Sequence, residues 1–206
     1  SGKKLFCAFV DFRKAFDTVW RVGLWQKLLK YNIGGKMFKV ILSMYTDIKS
    51  CVKNGELKTD FFPCEVGVRQ GEKMSPFLFA LYLNDLEEYL DENAVDGLKF
   101  INGKFTENLD LYIKLFILLY ADDTIIFAES AEGLQKALDV FEQYCFEWKL
   151  TVNVTKTKIV IFSKRKYNKN VTFKLCNEII EIKDSYVYLG LLFNYNGNFF
   201  QARKNW

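Results

Sequence analysis

Histidine is missing from all 206 residues. That absence removes Ser-His-Asp and Cys-His hydrolases, H-E-x-x-H metalloproteases and His-Cys zinc deaminases together, because each relies on an imidazole as base or ligand. Catalysis, if there is any, is left to carboxylates, lysines and metal ions. C-x-x-C pairs are also absent. The five cysteines, Cys7, Cys51, Cys64, Cys145 and Cys176, lie in mostly apolar contexts, which favours core thiols in a reducing compartment over a disulfide scaffold or zinc site. Long apolar runs are missing too. No run is longer than Leu115 to Ala121, which falls far short of the roughly 18 to 20 residues that span a bilayer, and Asp11 interrupts the only apolar stretch near the start. No membrane segment or signal peptide is supported. Nor is one sign of charge dominant: 29 basic residues face 25 acidic ones, a net +4 that mildly favours an anionic partner without deciding for one. Repeats and low-complexity linkers are likewise absent. The opening Ser1-Gly2-Lys3-Lys4, without an initiator Met, and the close at Lys204-Asn205-Trp206 are read as a piece of a longer protein.

What is present is apolar residue, about half of the chain, enough for a sizeable core in one domain or in one domain plus a fragment. Leu5 to Val10 reads as a buried strand ending on Asp11. Two helical patterns follow, Val22 to Tyr31 and Lys36 to Asp47, separated by the breaker Gly34-Gly35. Ser50 to Lys53 and Glu56 to Phe62 flank Asn54-Gly55, the pair a type I′ hairpin turn prefers. Ser75-Pro76 reads as an N-cap and first helical position, and Phe79, Tyr82, Leu83, Leu86, Tyr89 and Leu90 continue one helical stripe. Residues 91 to 112 lose that periodicity and read as a connection, with a small hairpin at Asn102-Gly103. Leu115 to Tyr120 and Thr124 to Ala128 suggest strand-turn-strand around Ala121-Asp122-Asp123. Leu134, Ala137, Leu138, Phe141, Cys145 and Trp148 give one face of a helix capped by Ser130. Lys158 to Phe162, Val171 to Leu175, Glu178 to Ile182 and Tyr186 to Leu189 are shorter strands, with the basic loop Lys164-Arg165-Lys166 among them. The fold class expected is α+β, a mainly antiparallel sheet with helices on one face.

Asp122 and Asp123 are the most informative pair, since ionised carboxylates within an apolar hairpin are costly unless paired or bound to metal. Neighbours on a strand point to opposite faces, so Asp122 is favoured as the main ligand. If the Asp11 strand lies beside this hairpin, Asp11 and Asp122 meet at the sheet's exposed end. Converging hard oxygen ligands of this kind suit a two-Mg²⁺ site completed by substrate phosphates. The alternative is a solvent-exposed turn, which Asp also favours. Asp17, six positions after Asp11, shares no face with it in helix or strand and reads as structural.

In order along the chain these segments resemble the reverse transcriptase domain of non-LTR (LINE-type) retrotransposons. Phe9-Val10-Asp11-Phe12-Arg13-Lys14-Ala15-Phe16-Asp17 resembles motif A, and Gly67-Val68-Arg69-Gln70-Gly71 with Ser75-Pro76 resembles motif B. Tyr120-Ala121-Asp122-Asp123 resembles motif C. Leu150-Thr151-Val152-Asn153 with Lys156-Thr157-Lys158 is similar to motif D, and Tyr188-Leu189-Gly190 to the primer-grip motif E. Each motif alone is weak; five in order are specific. The resemblance implies a polymerase palm, with its ferredoxin-like sheet and partial fingers elements, over residues 1–193, and the start of a thumb or connection over 194–206. It implies RNA-directed DNA polymerase activity, two Mg²⁺ ions with Mn²⁺ as substitute, and an RNA template, DNA primer and dNTPs as partners. It also implies an intracellular setting, nucleus and cytoplasm.

Carried over residue by residue, the resemblance makes Asp11, Asp122 and Asp123 the catalytic carboxylates, assisted by the Phe12 carbonyl. Phe16 takes the place of the steric gate against a ribose 2′-hydroxyl, and its other reading is an ordinary core aromatic. Gln70 and Gly71 fit close approach to nucleotide and templating base, with Tyr120 also at the substrate, while Gly67 and Gly71 also fit a plain turn. Arg69 is either a phosphate contact or a surface charge. Lys156 matches a lysine that protonates pyrophosphate, though Lys158 is a near neighbour. Lys164, Arg165, Lys166 and Lys169 fit a nucleic-acid backbone contact or a solvated loop.

The sequence departs from the family in three places. Fingers residues before motif A are largely missing, as are a thumb after motif E, an endonuclease and a zinc knuckle. Glu72-Lys73-Met74 replaces a small or acidic residue followed by Leu. Two other readings follow: a catalytically incomplete, nucleic-acid-binding remnant, and a group II intron maturase, which the F-x-K-A-F-D and R-Q-G forms favour less.

Overall fold

This computed structural model describes residues 4–93, 95–96, 98–102, 111–115, 117–120, 123–164 and 171–201, with backbone alone for 98–102, 111–115, 117–120, 123 and 199–201. Along the chain run β1 (Leu5–Asp11), α1 (Arg21–Lys30), α2 (Gly35–Met44), β2 (Lys49–Ser50), β3 (Lys53–Asn54), β4 (Leu57–Lys58), β5 (Phe62–Pro63), α3 (Ser75–Leu83) and α4 (Leu86–Glu92). They continue with β6 (Leu98–Asn102), β7 (Leu111–Leu115), β8 (Ile117–Tyr120), β9 (Asp123–Ala128), α5 (Ala131–Glu147), β10 (Lys158–Phe162) and β11 (Phe173–Leu175). The last are β12 (Glu178–Lys183), β13 (Ser185–Tyr188), β14 (Leu191–Asn194) and β15 (Phe199–Gln201). Two compact units result: one of residues 1–12, 86–146 and 152–206, the other of residues 13–85 and 147–151.

The first unit is built on a sheet ordered β11-β12-β10-β1-β9-β8 among the described residues. All its pairings are antiparallel except β10 with β12. β1 is central because Phe6 to Val10 is apolar at every position and is buried on both faces; such a run has no stable place at an edge. Strand parity separates Phe6, Ala8 and Val10 from Cys7 and Phe9. Phe9, Cys7, Ile125 and Val160 form a cluster covered by Tyr186, Tyr188 and Tyr195. α5 is amphipathic, burying Leu134, Ala137, Leu138, Phe141, Tyr144 and Cys145. Phe141 meets Phe12 at 5.9 Å between ring centres, and Tyr144 meets Tyr89 of α4 edge-on at 5.3 Å. A separate sheet orders β13-β14-β15, and β6 pairs with β7.

In the second unit α1 packs on α3, with Leu24, Leu28, Leu78, Phe79, Tyr82 and Leu83 all buried. Trp25 of α1 reaches Phe38 of α2 edge-on at 6.3 Å. Two short strand pairs, β2 with β5 and β3 with β4, stand one beyond the other along the same hairpin.

Several expectations change. The hairpin at residues 53–58 exists, but Asn54 pairs with Leu57, so Gly55 and Glu56 are central. Only Gly55 takes positive φ, +61°, the arrangement of a II′ turn, in which glycine leads. The stripe from Phe79 to Leu90 is two helices, broken at Asn84-Asp85, because Asp85 turns inward to pair with buried Lys27. Ser75 is inside the helix, and its hydroxyl closes the preceding loop by donating to the Arg69 carbonyl at 2.5 Å. Residues 91 to 112, expected as a connection with a small hairpin, contain β6 and the first two residues of β7, which pair with each other; Gly103, after the expected turn residue Asn102, lies outside the described residues. The cysteines are not all core thiols: Cys7 and Cys145 are buried, Cys51 and Cys64 half-buried, and Cys176 exposed in a left-handed turn at φ +52°. All five are free.

Candidate active site

β1 delivers Asp11. It closes a strand whose preceding five residues are buried, so its carboxylate emerges where the apolar run stops, 29% exposed. On the β9 side the register sets Asp11 opposite Asp123, while Tyr120 of β8 is also paired with Asp123. The sheet therefore aligns the ends of β1, β9 and β8, as the apolar runs suggested. Asp122, favoured as the main ligand, lies outside the described residues, as do the side chains of Tyr120 and Asp123.

On the opposite edge of β1 the segment 151–157 docks. Asn153 N–H donates to the Asp11 carbonyl at 2.7 Å, Asp11 N–H donates to Thr157 Oγ1 at 3.3 Å, and Phe12 forms an isolated bridge with Val152. Thr157 Oγ1 in turn donates to the Asn153 carbonyl at 2.9 Å, and Asn153 Oδ1 accepts from Thr155 Oγ1 at 2.8 Å. This knot of short polar residues holds Lys156 at the rim, 69% exposed, with Nζ 3.9 Å from Asp11 Oδ2. A contact so exposed contributes little to stability. Lys158 is otherwise engaged, donating to the Thr155 carbonyl and standing 3.3 Å from Glu181. Together with Lys183 it keeps the Glu181 carboxyl below the ordinary carboxylate range, Lys183 being the larger cause.

The β13–β14 hairpin belongs to the same face. Phe9, two residues before Asp11 and so on its side of the sheet, stacks on Tyr186 at 4.5 Å and lies 5.7 Å from Tyr188. The hairpin turns at Leu189 and Gly190, with φ of +49° and +78°, leaving Val187, Leu189 and Leu191 exposed. Sequence reading named Tyr188, Leu189 and Gly190 but missed Tyr186, which stacks most closely on Phe9.

In the second unit the Phe16 ring is half-buried, 5.3 Å from Phe79. Its carbonyl accepts from Val68 N–H at 2.7 Å, and Gly67 N–H donates to the Val19 carbonyl at 2.9 Å. Gly67 is required twice over: its φ is +82°, and a Cβ there would meet the Asp17 carbonyl oxygen at 2.6 Å. Asp17 is exposed. Arg69 is held in place, bonded to Glu72 at 2.7 Å and to the Met44 carbonyl at 3.0 Å. Gln70 and Gly71 are exposed, and Gly71, at φ +89°, has open space where a side chain would be. Sequence reading also missed Arg21, a buried cation whose only signal was a charge at the head of an apolar helix. Among the described residues no cluster of three or more metal-ligating side chains occurs.

Residues 1–193 match the family described as reverse transcriptase (RNA-dependent DNA polymerase). The chain is 27% identical over 190 residues to the RNA-directed DNA polymerase from mobile element jockey of Drosophila melanogaster, covering 89% of this chain and 19% of that protein. It is 28% identical over 204 residues to the Pol polyprotein from type-1 retrotransposable element R2 of Nasonia vitripennis, covering 95% and 19% respectively. The chain thus spans about a fifth of these relatives' length. Among solved structures, apo telomerase from Candida tropicalis truncated from its C-terminal domain superposes with a TM-score of 0.64 at 18% identity, over 97% of this chain and 36% of that one. At that identity the likeness concerns the fold, a palm-like α+β arrangement.

Proposed function

Because the chain belongs to the reverse transcriptase (RNA-dependent DNA polymerase) family, we propose that it forms the catalytic core of an RNA-directed DNA polymerase, joining a dNTP to the 3′-hydroxyl of a DNA primer on an RNA template. One observation carries the reading: Asp11 ends a buried strand in register with Asp123, and Lys156 stands beside its carboxylate. The residues suit divalent metal. Asp11 and Asp123 are in register at the aligned ends of neighbouring strands, and Asp11 is open enough to exchange its lysine partner for an ion. Asp11, Asp122 and Asp123, with the Phe12 carbonyl, would hold two Mg²⁺ ions, for which Mn²⁺ can substitute. Bound there, Mg²⁺ supplies acidity for the 3′-hydroxyl and neutralises triphosphate charge.

The chain's own residues do the rest. Lys156, mobile and cationic, hands a proton to the departing pyrophosphate. Phe16, backed by Phe79, excludes a 2′-hydroxyl, while Gln70 and Gly71 let nucleotide and templating base approach the backbone, with Tyr120 contributing at the substrate. Arg69 shapes that loop through Glu72 and Met44. Tyr188, Leu189 and Gly190 grip the primer. Fingers and thumb segments of a parent polyprotein are partners in this scheme, and its setting is the nucleus and cytoplasm.

Primer extension on RNA and DNA templates with Mg²⁺ or Mn²⁺ tests the reading, using this chain and a version joined to fingers and thumb. Asp11→Asn and Asp122→Asn are each expected to lower extension by about a thousandfold, the several kcal/mol that metal-held charge contributes. A joined wild type that extends no primer, or an Asp122→Asn variant as active as its parent, would sink it. Binding without extension by both versions would favour the remnant.

A further inference from the structure

Arg21 opens α1 and is buried. A buried guanidinium usually meets a carboxylate. This one spends its donors on main-chain carbonyls: Nε to Gly67 at 2.9 Å, Nη2 to Val66 at 3.1 Å, and Nη1 to Cys64 at 2.6 Å and Tyr45 at 3.3 Å. Its plane also lies 5.3 Å from the centre of the Tyr45 ring. Three of the four carbonyls belong to the few residues leading into Val68-Arg69-Gln70-Gly71. The same Gly67 and Val68 donate to the carbonyls of Val19 and Phe16.

From this chain of bonds we infer that Arg21 is a positioning residue for sugar selection, holding Gly67 so that Val68 can hold the backbone of Phe16. The inference rests on the polymerase reading and on Phe16 as gate. Arg21 touches no reactant; it fixes where the gate stands. Only arginine serves, because a planar fork reaches several carbonyls at once and lysine offers donors from a single point. A misplacement of about 1 Å at a reacting geometry is worth up to about a hundredfold in rate, so the position of the gate's backbone bears on which sugar is accepted.

The test measures ATP against dATP incorporation by single-nucleotide extension, in the version joined to fingers and thumb, for wild type, Arg21→Lys, Gly67→Ala and Phe16→Val. Melting temperatures set an assay temperature at which every variant is folded. Arg21→Lys is expected to raise the ribonucleotide-to-deoxyribonucleotide ratio about three- to tenfold, the change that one weakened hydrogen bond produces, and Gly67→Ala to shift it in the same direction from the opposite side of the joint. A role in stability alone would lower both rates together. An unchanged ratio in folded Arg21→Lys, with a raised ratio in Phe16→Val, overturns the Arg21 inference and leaves the polymerase reading standing. Inactive wild type overturns both. If neither Arg21→Lys nor Gly67→Ala folds at any assay temperature, the clamp serves the fold alone and the inference is overturned.

Discussion

Lys27 sits inside the second unit with its ammonium bonded to Asp85 and 3.6 Å from the centre of the Trp148 ring. Burial lowers its pKa from 10.5 to about 8, even though Asp85 pulls in the other direction. Between about pH 8 and 10.5 the folded chain has released this proton while the unfolded chain still holds it, so the unfolded state binds more protons and stability rises with pH. Below about 8 the penalty is present in full. Chemical denaturation from pH 7 to 10.5 should show that rise in wild type, and Lys27→Met should remove it; parallel curves would contradict the pair's role. Asp85→Asn, which leaves the buried ammonium without its carboxylate, is expected to cost about 3 kcal/mol in the same measurement. None of this was legible in the sequence. Asp85 falls within the stretch expected as one continuous helix, off its apolar stripe, and only the fold brings it to Lys27, 58 positions away.

Elements were legible where one period ran for long enough. The α5 stripe is buried as the spacing required from Leu134 to Cys145, while Trp148 falls past the helix end and is half-buried; Ser130 caps the helix, its hydroxyl accepting from Gly133 N–H at 2.9 Å. Ser130→Ala should therefore cost about 1 kcal/mol, a fall of about 2–4 °C in melting temperature for a chain of this size. No shift would mean that the bond is absent in solution. β1 was equally clear, being apolar throughout. Short elements were not. The two-residue strands β3 and β4 carry no period, so their register depended on turn chemistry, and the choice between Asn54-Gly55 and Gly55-Glu56 slipped by one residue. Strands β6 and β7 were legible only as a small hairpin placed at Asn102-Gly103, and their extent was not, since pairing between backbones leaves little trace in side-chain character.

Across the whole molecule, the ordered motifs located the aligned ends of β1, β8 and β9, but not the bonds that hold Asp11 there. Asp11 is anchored by Asn153 and Thr157 through its own backbone, so its carboxylate is no part of the fold's support. Stripping divalent ions with a chelator should stop primer extension and leave the far-ultraviolet dichroism melt within about 2 °C, since a weakly loaded site adds little by mass action; a large loss of structure would contradict this. The joint between residues 16–19 and 67–68 has a similar property. It is made of main-chain atoms, with Gly67 the one position where a side chain is forbidden. Substitutions of the Phe16 or Val68 side chain therefore leave these two main-chain bonds in place, a fastening that side-chain change does not undo, so the sequence here is free to drift while the scaffold stays the same.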